Sequence, residues 1–190
     1  DDIRNALHPS YSPQQITDMD SQTADLSRDL FGAKYLPGFV GLNNHGKTDC
    51  INAVVQALAH VQPLRDYFLS KSHLYTVVLD KKIAGIASNR LALQVTSAFG
   101  MLVRRMWSDK RFKSTVDPHM MVQAISAASN KRFRVGHQAE VGELMAWLLH
   151  QLHVGTGGKR KPGSSIVHKI FQGKVQVTTR QAKAIDKGSS

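Results

Sequence analysis

The chain has a single cysteine among its 190 residues, Cys50. That excludes an intrachain disulfide and any zinc site built from clustered cysteines, and it fits a reducing compartment. No apolar run approaches the roughly 20 residues that a membrane span requires. The first residues, Asp1 to Arg4, are acidic and polar and lack the pattern of a secretory signal. Acids are scarce too: 14 Asp+Glu face 25 Lys+Arg, a formal charge of +11. The imbalance is concentrated at the end. From Gly155 onward Lys159, Arg160, Lys161, Lys169, Lys174, Arg180, Lys183 and Lys187 are opposed by Asp186 alone, a net +7. Such an end suits RNA-rich or acidic-protein surroundings, or it is a solvated tail. Against these absences, 42% hydrophobic residues are enough for a core. The length suits one domain or part of a larger one.

Ser12-Pro13-Gln14-Gln15 reads as a helix start, with a capping serine, proline in the first turn and a glutamine that reaches back. Ile16, Met19, Thr23 and Leu26 continue one face, which predicts a helix stopping near Gly32, before a Pro37-Gly38 turn. Everything before Ser12 reads as linker. Ile51, Val54, Val55 and Leu58 mark the buried stripe of a second helix, and residues 64–69 suit a short further helix packing Tyr67 and Phe68. Residues 74–79 are compatible with a strand or a helical turn. A long helix is predicted from about Asn89 to Trp107, with Leu91, Val95, Phe99, Leu102 and Met106 inward. Asp117-Pro118 opens another, with Met121, Ala124, Ile125 and Ala128 inward. A last helix runs from about Ala139 to His153 on Val141, Leu144, Leu148 and Leu152. Residues 155–163 form a basic loop, and residues 166–171 and 174–179 read as two short strands around Gly173. Helices first and strands last predict an α+β fold.

The stretch from Gly41 to Leu58, GLNNHGKTDCINAVVQAL, is a Gly/Asn-rich loop running into a helix. Gly41, Gly46, Lys47 and Thr48 satisfy the phosphate-binding P-loop pattern. That site needs a buried strand leading into the loop, and Pro37-Gly38 interrupts it. One further candidate strand precedes residue 165, too few for a parallel sheet covered on both faces.

Gly41, Leu42, Asn44, Gly46, Thr48, Cys50, Asn52, Ala53 and Gln56 also fall on the frame Gly-Leu-x-Asn-x-Gly-x-Thr-Cys-Tyr-x-Asn-Ser-x-x-Gln, with Asp49 where its cysteine stands. That frame is the cysteine box of the ubiquitin-specific proteases, which the chain resembles. The runs 36–44 and 52–58 are most similar to the catalytically inactive branch that serves the spliceosomal tri-snRNP. Pro63-Leu64-Arg65, Tyr67-Phe68-Leu69, Asp117-Pro118-His119 and residues 138–153 resemble further motifs of the family, in order. Glu140 and Glu143 take its acidic places.

The resemblance implies a papain-like fold, of which the chain covers mainly the helical thumb and the first short strands of the next subdomain. It divides the chain into a linker and helix (1–35), a thumb (36–154), and a basic loop, short strands and tail (155–190). The family's catalytic histidine lies beyond the matched region, so the chain is expected to be a fragment or a shortened homologue. Asn44 matches the oxyanion-hole asparagine, and Asp49 replaces the nucleophile. Asp49 is then expected to cap its helix, and Cys50, about 100° further round, to pack in the core. His137 is expected to be exposed, and the histidines show no metal-ligand spacing. The function implied is a nuclear, non-enzymatic scaffold without cofactor. Its partners would be the large core protein and the snRNA-unwinding helicase of the tri-snRNP, with RNA or an acidic partner at Lys159, Arg160 and Lys161. A ubiquitin-binding pseudoenzyme is the alternative.

Overall fold

The computed structural model describes residues 8–19, 26–70, 87–111 and 113–180. Its helices are α1 (Pro13–Asp18), α2 (Asp49–Ala59), α3 (Gln62–Ser70), α4 (Ala87–Trp107), α5 (His119–Ala128), α6 (Val141–Gly155) and α7 (Ile166–Phe171). Two strands, β1 (Ser27–Arg28) and β2 (Lys34–Tyr35), form an antiparallel pair between α1 and α2. The segment 74–79 lies outside the described residues.

The start of α1 follows the sequence pattern. Ser12 Oγ accepts from Gln15 N at 3.2 Å, and Ser12 N donates to Gln15 Oε1 at 2.8 Å. The predicted continuation to Gly32 fails at Ser27–Arg28, which is a strand, while Thr23 of the predicted face lies outside the described residues. At Asp29 a tight turn takes over, because its carboxylate accepts from the amides of Phe31 and Ala33, both at 2.9 Å. Gly32 sits there at φ +80°, and the turn folds β2 back onto β1.

Helix α4 is the central element, packed by α6, α5 and α3. Its Val95, Phe99, Leu102 and Met106 are buried as the period predicts, while Leu91 is half-buried. From α6, Leu144, Leu148 and Leu152 are fully buried, each contributing about 1.5–3 kcal/mol by leaving water. Val141, expected on that stripe, is exposed because it is the first residue of the helix, still leaving the loop. The end of α6 touches α4 so closely that a Cβ on Gly155 would lie 2.0 Å from Thr96 Oγ1. Phe68 of α3 meets Phe99 edge-on at 5.0 Å.

Residues 166–171 are helical, not a strand. Ser165 caps them, accepting from His168 N at 3.1 Å. Ile166 and Ile170, one turn apart, pack against the core. The β-branched composition pointed the other way, but among the described residues no strand pairs with it. Residues 174–179 likewise form no strand among the described residues. Among the described residues the two strands therefore precede α2, and α7 joins the helical body through contacts with α3 and α6. The stretch before Ser12 is partly docked: Pro9 is buried and its carbonyl accepts from Arg104 Nη1 at 3.0 Å.

Candidate functional site

The loop before α2 is held on both sides. Gly38 adopts φ +87° with the Trp107 ring 2.7 Å from where a Cβ would sit, and its amide donates to Met106 O at 2.7 Å. Only glycine fits there. Gly41 O and Asn43 N bond the backbone of Val116 at 2.9 and 3.0 Å. From α2, Gln56 Nε2 donates to Val40 O at 2.6 Å and Asn52 Nδ2 to Asn43 O at 3.1 Å. These motif side chains thus hold the backbone of the loop.

Asn44 Oδ1 accepts from Thr48 N at 3.1 Å and from Thr48 Oγ1 at 3.0 Å, while Thr48 Oγ1 accepts from His45 N at 3.0 Å. Thr48 is fully buried, with its hydroxyl committed on both sides. That overturns the P-loop reading, which needs this hydroxyl on a metal ion. A lead-in strand is also lacking: Leu42 makes one isolated bridge to Val116.

Asp49 opens α2 and is exposed. It is not the cap. The cap position falls to Thr48, which makes no side-chain cap bond. Asp49 keeps the electrostatic half of its expected role, a negative charge in the first turn. Gln138 Nε2 lies 3.4 Å from Asp49 Oδ2 and 3.3 Å from Cys50 Sγ, bridging the loop before α6 to the start of α2. Cys50 is buried, and its thiol donates to Ala139 O at 3.3 Å.

Among the described residues no histidine hydrogen-bonds Asp49 or Cys50. His45 is tied to Asp117 at 2.6 Å. Burial raises the Asp117 pKa, but hydrogen bonds from His45 and from the His119 amide outweigh it, so the carboxyl sits below its usual range. His137 is exposed, as expected, with Arg134 Nη2 2.6 Å from its Nε2. Glu140 is the cap of α6. Its carboxylate accepts from the amides of Glu143 and Gly142, which lower its pKa. Glu143 pairs with Arg132 at 2.5 Å.

Lys159, Arg160 and Lys161 are exposed on the loop between α6 and α7, at the other end of α6 from Asp49's partner Gln138. That loop closes on itself: Lys159 N donates to Ser164 Oγ at 2.9 Å, and Ser164 Oγ donates to Lys159 O at 2.7 Å. At its base His153 and His168 stack with ring centroids 3.7 Å apart, and His153 Nδ1 lies 2.7 Å from Ser165 Oγ. The reading of 166–171 as a strand hid this cluster. The Ser165 cap, three residues before His168, was the signal available.

Residues 40–185 match the family model described as ubiquitin carboxyl-terminal hydrolase. Ubiquitin carboxyl-terminal hydrolase 39 of Homo sapiens is 38% identical over 181 residues, covering 95% of this chain and 31% of that protein. Probable mRNA-splicing protein ubp10 of Schizosaccharomyces pombe is 34% identical over 186 residues, covering 96% and 34%. The chain thus spans about a third of the length of these relatives. A crystal structure of an essential yeast splicing factor superposes with a TM-score of 0.60 at 19% identity, over 82% of this chain and 34% of that one. The fold seen here is therefore the helical part of the ubiquitin-specific-protease fold, and the chain belongs to the ubiquitin carboxyl-terminal hydrolase family.

Proposed function

We propose that this chain is a non-enzymatic pseudo-deubiquitinase that serves as a scaffold in pre-mRNA splicing, in the nucleus, supporting tri-snRNP assembly or stability. The observation that carries the reading is that Asp49, which the resemblance matches to the nucleophile, is an aspartate, exposed and bridged by Gln138. Cysteine-dependent isopeptide cleavage needs a thiolate, a base beside it and donors for the oxyanion. A carboxylate attacking the isopeptide would form an anhydride that the departing amine reverses, and its charge opposes an oxyanion forming alongside. Cys50 does not replace it, because its sulfur is buried toward Ala139. Asn44, which the resemblance matches to the oxyanion position, has its side-chain oxygen engaged by Thr48, which fixes the amide in the loop.

The splicing assignment is supported by the relatives named for that process. Its partners in this reading are the large core protein and the snRNA-unwinding helicase of the tri-snRNP, with Lys159, Arg160 and Lys161 facing RNA or an acidic partner. Tagged chain in nuclear extract is expected to bring down tri-snRNP proteins and to leave ubiquitin conjugates intact. Recovery of none of those proteins would defeat the scaffold role, and cleavage of the conjugates would defeat the non-enzymatic one. The retained thumb also supports a second reading, a weak ubiquitin contact. Labelled ubiquitin titrated with the chain would show shifted resonances if it holds, and none if it does not.

A further inference from the structure

Residues 144–185 contain no aspartate or glutamate. This run crosses most of α6, the loop after it, α7 and the segment that follows. Its described part exposes Lys159, Arg160, Lys161, Lys169, Lys174 and Arg180. Among the described residues none of these six enters an ion pair. Asp66 of α3 shares a cavity wall with Ile166 of α7, and its carboxylate is held by Arg65 at 2.7 Å. The cations therefore face solvent without internal compensation.

Part of this surface is fixed. Besides the Lys159–Ser164 closure, Gly158 N donates to His153 O at 2.8 Å and Gly163 N to Gln172 Oε1 at 3.2 Å. Those bonds tie the loop to α6 on one side and to the end of α7 on the other. Ser165 is buried, accepts from the His168 amide and lies 2.7 Å from His153 Nδ1. The His153 ring stacks on His168 beneath the loop. Rings lie among the charges: Phe171, 37% exposed, follows Lys169 by two residues, and His168 is half-buried beside it.

We propose that this acid-free face, from the loop after α6 through α7 to Arg180, is a binding track for single-stranded RNA. Unpaired cations spread along a surface match the repeating charge of a phosphodiester chain, and the interleaved rings offer stacking for bases that an acidic peptide could not use. The inference extends the loop contact of the proposed function beyond Lys159–Lys161. Because it is tested on purified chain and RNA, its outcome is separate from tri-snRNP association.

The test is a fluorescence-anisotropy titration of the full chain with a labelled oligouridylate across a series of salt concentrations. If all six cations neutralise phosphates, the slope of log K against log salt is about −4. Replacing Lys159, Arg160 and Lys161 by Gln should reduce that slope by about 2, and replacing Lys169, Lys174 and Arg180 by about as much. Phe171→Ala should weaken binding about fivefold or more with the slope unchanged. All these positions are exposed, and unchanged thermal unfolding confirms that each variant is folded. A slope near zero, or a second triple variant that binds like the parent, overturns the track. Equal binding of a polyglutamate peptide of the same length overturns the choice of RNA and points to an acidic protein.

Discussion

Replacing Arg104 with Met should unfasten the front of the molecule. Arg104 is buried in α4 and donates to three backbone carbonyls: Phe68 O at 3.0 Å, Leu69 O at 2.8 Å and Pro9 O at 3.0 Å. Two of these belong to the last turn of α3, where carbonyls have no partner within the helix. A fixed positive charge there also complements the helix dipole. The third ties down the segment ahead of α1, whose Tyr11 hydroxyl donates to Arg104 O at 2.5 Å. A bond to a charged donor contributes about 1.5–3 kcal/mol, and a stranded buried carbonyl costs about 1–3 kcal/mol. Water reaching the Pro9 side will recover part of this, so the net loss should be about 3–5 kcal/mol. In a chain of this size that lowers the melting temperature by roughly 6–20 °C. Urea unfolding measures the energy, and limited proteolysis should cut the variant near residues 8–19 before the helical body is attacked. Arg105→Met, at a half-buried neighbour, is the control and should cost about 0.5 kcal/mol or less. An Arg104→Met variant within about 1 kcal/mol of the parent, with unchanged proteolysis, would refute this account of the three carbonyls.

Gly38→Ala combines strain at φ +87° with overlap on the Trp107 ring and should cost about 3 kcal/mol, whereas Gly32→Ala, at φ +80° with nothing within 4 Å, should cost about 1 kcal/mol; equal melting temperatures would discard the overlap argument. Burial, then the neighbouring His168 and His150, lowers the His153 pKa below its ordinary 6.5. The unfolded chain therefore takes up that proton first, and stability should fall as pH drops below about 6.5. His153→Gln should flatten urea midpoints in this window, leaving the loss from Asp117 to appear separately, below its ordinary 3.8. Asp49→Cys should release no fluorophore from a ubiquitin conjugate, because no histidine among the described residues is bonded at that position to activate the sulfur; a measurable turnover would show that a base reaches it.

The helical body was legible because its period is strong. Ile51, Val54, Val55 and Leu58 are all buried in α2, and the α4 stripe follows with Leu91 only partly covered. The Ser12 box was legible because capping is settled by residues three apart. What escaped was decided by longer-range or competing terms. Leu26 extended a helical spacing on paper, but a strand at Ser27–Arg28 and the Asp29 carboxylate turn the chain there. Residues 166–171 had strand composition, and the Ser165 cap opens them as a helix. In the site, the order of Asn44, Asp49 and Cys50 could be read directly. The approach of Gln138, 89 residues from Asp49, could not, because the packing of α6 against α2 creates it.

The loop itself explains what the polar positions of the frame do for the fold. Asn44 holds Thr48, Gln56 holds Val40, and Asn52 holds Asn43, so three polar positions of the frame close hydrogen bonds that set the entry into α2. Losing any one of them would strand a backbone or hydroxyl group, at about 1–3 kcal/mol where that group is buried. Position 49 makes no comparable demand: Asp49 is exposed, carries no cap bond, and among the described residues makes one long side-chain hydrogen bond, to Gln138. A carboxylate there even suits the first turn of the helix electrostatically. Sulfur could therefore be exchanged for carboxylate with little effect on the fold, while the surrounding frame could not be exchanged without changing the loop.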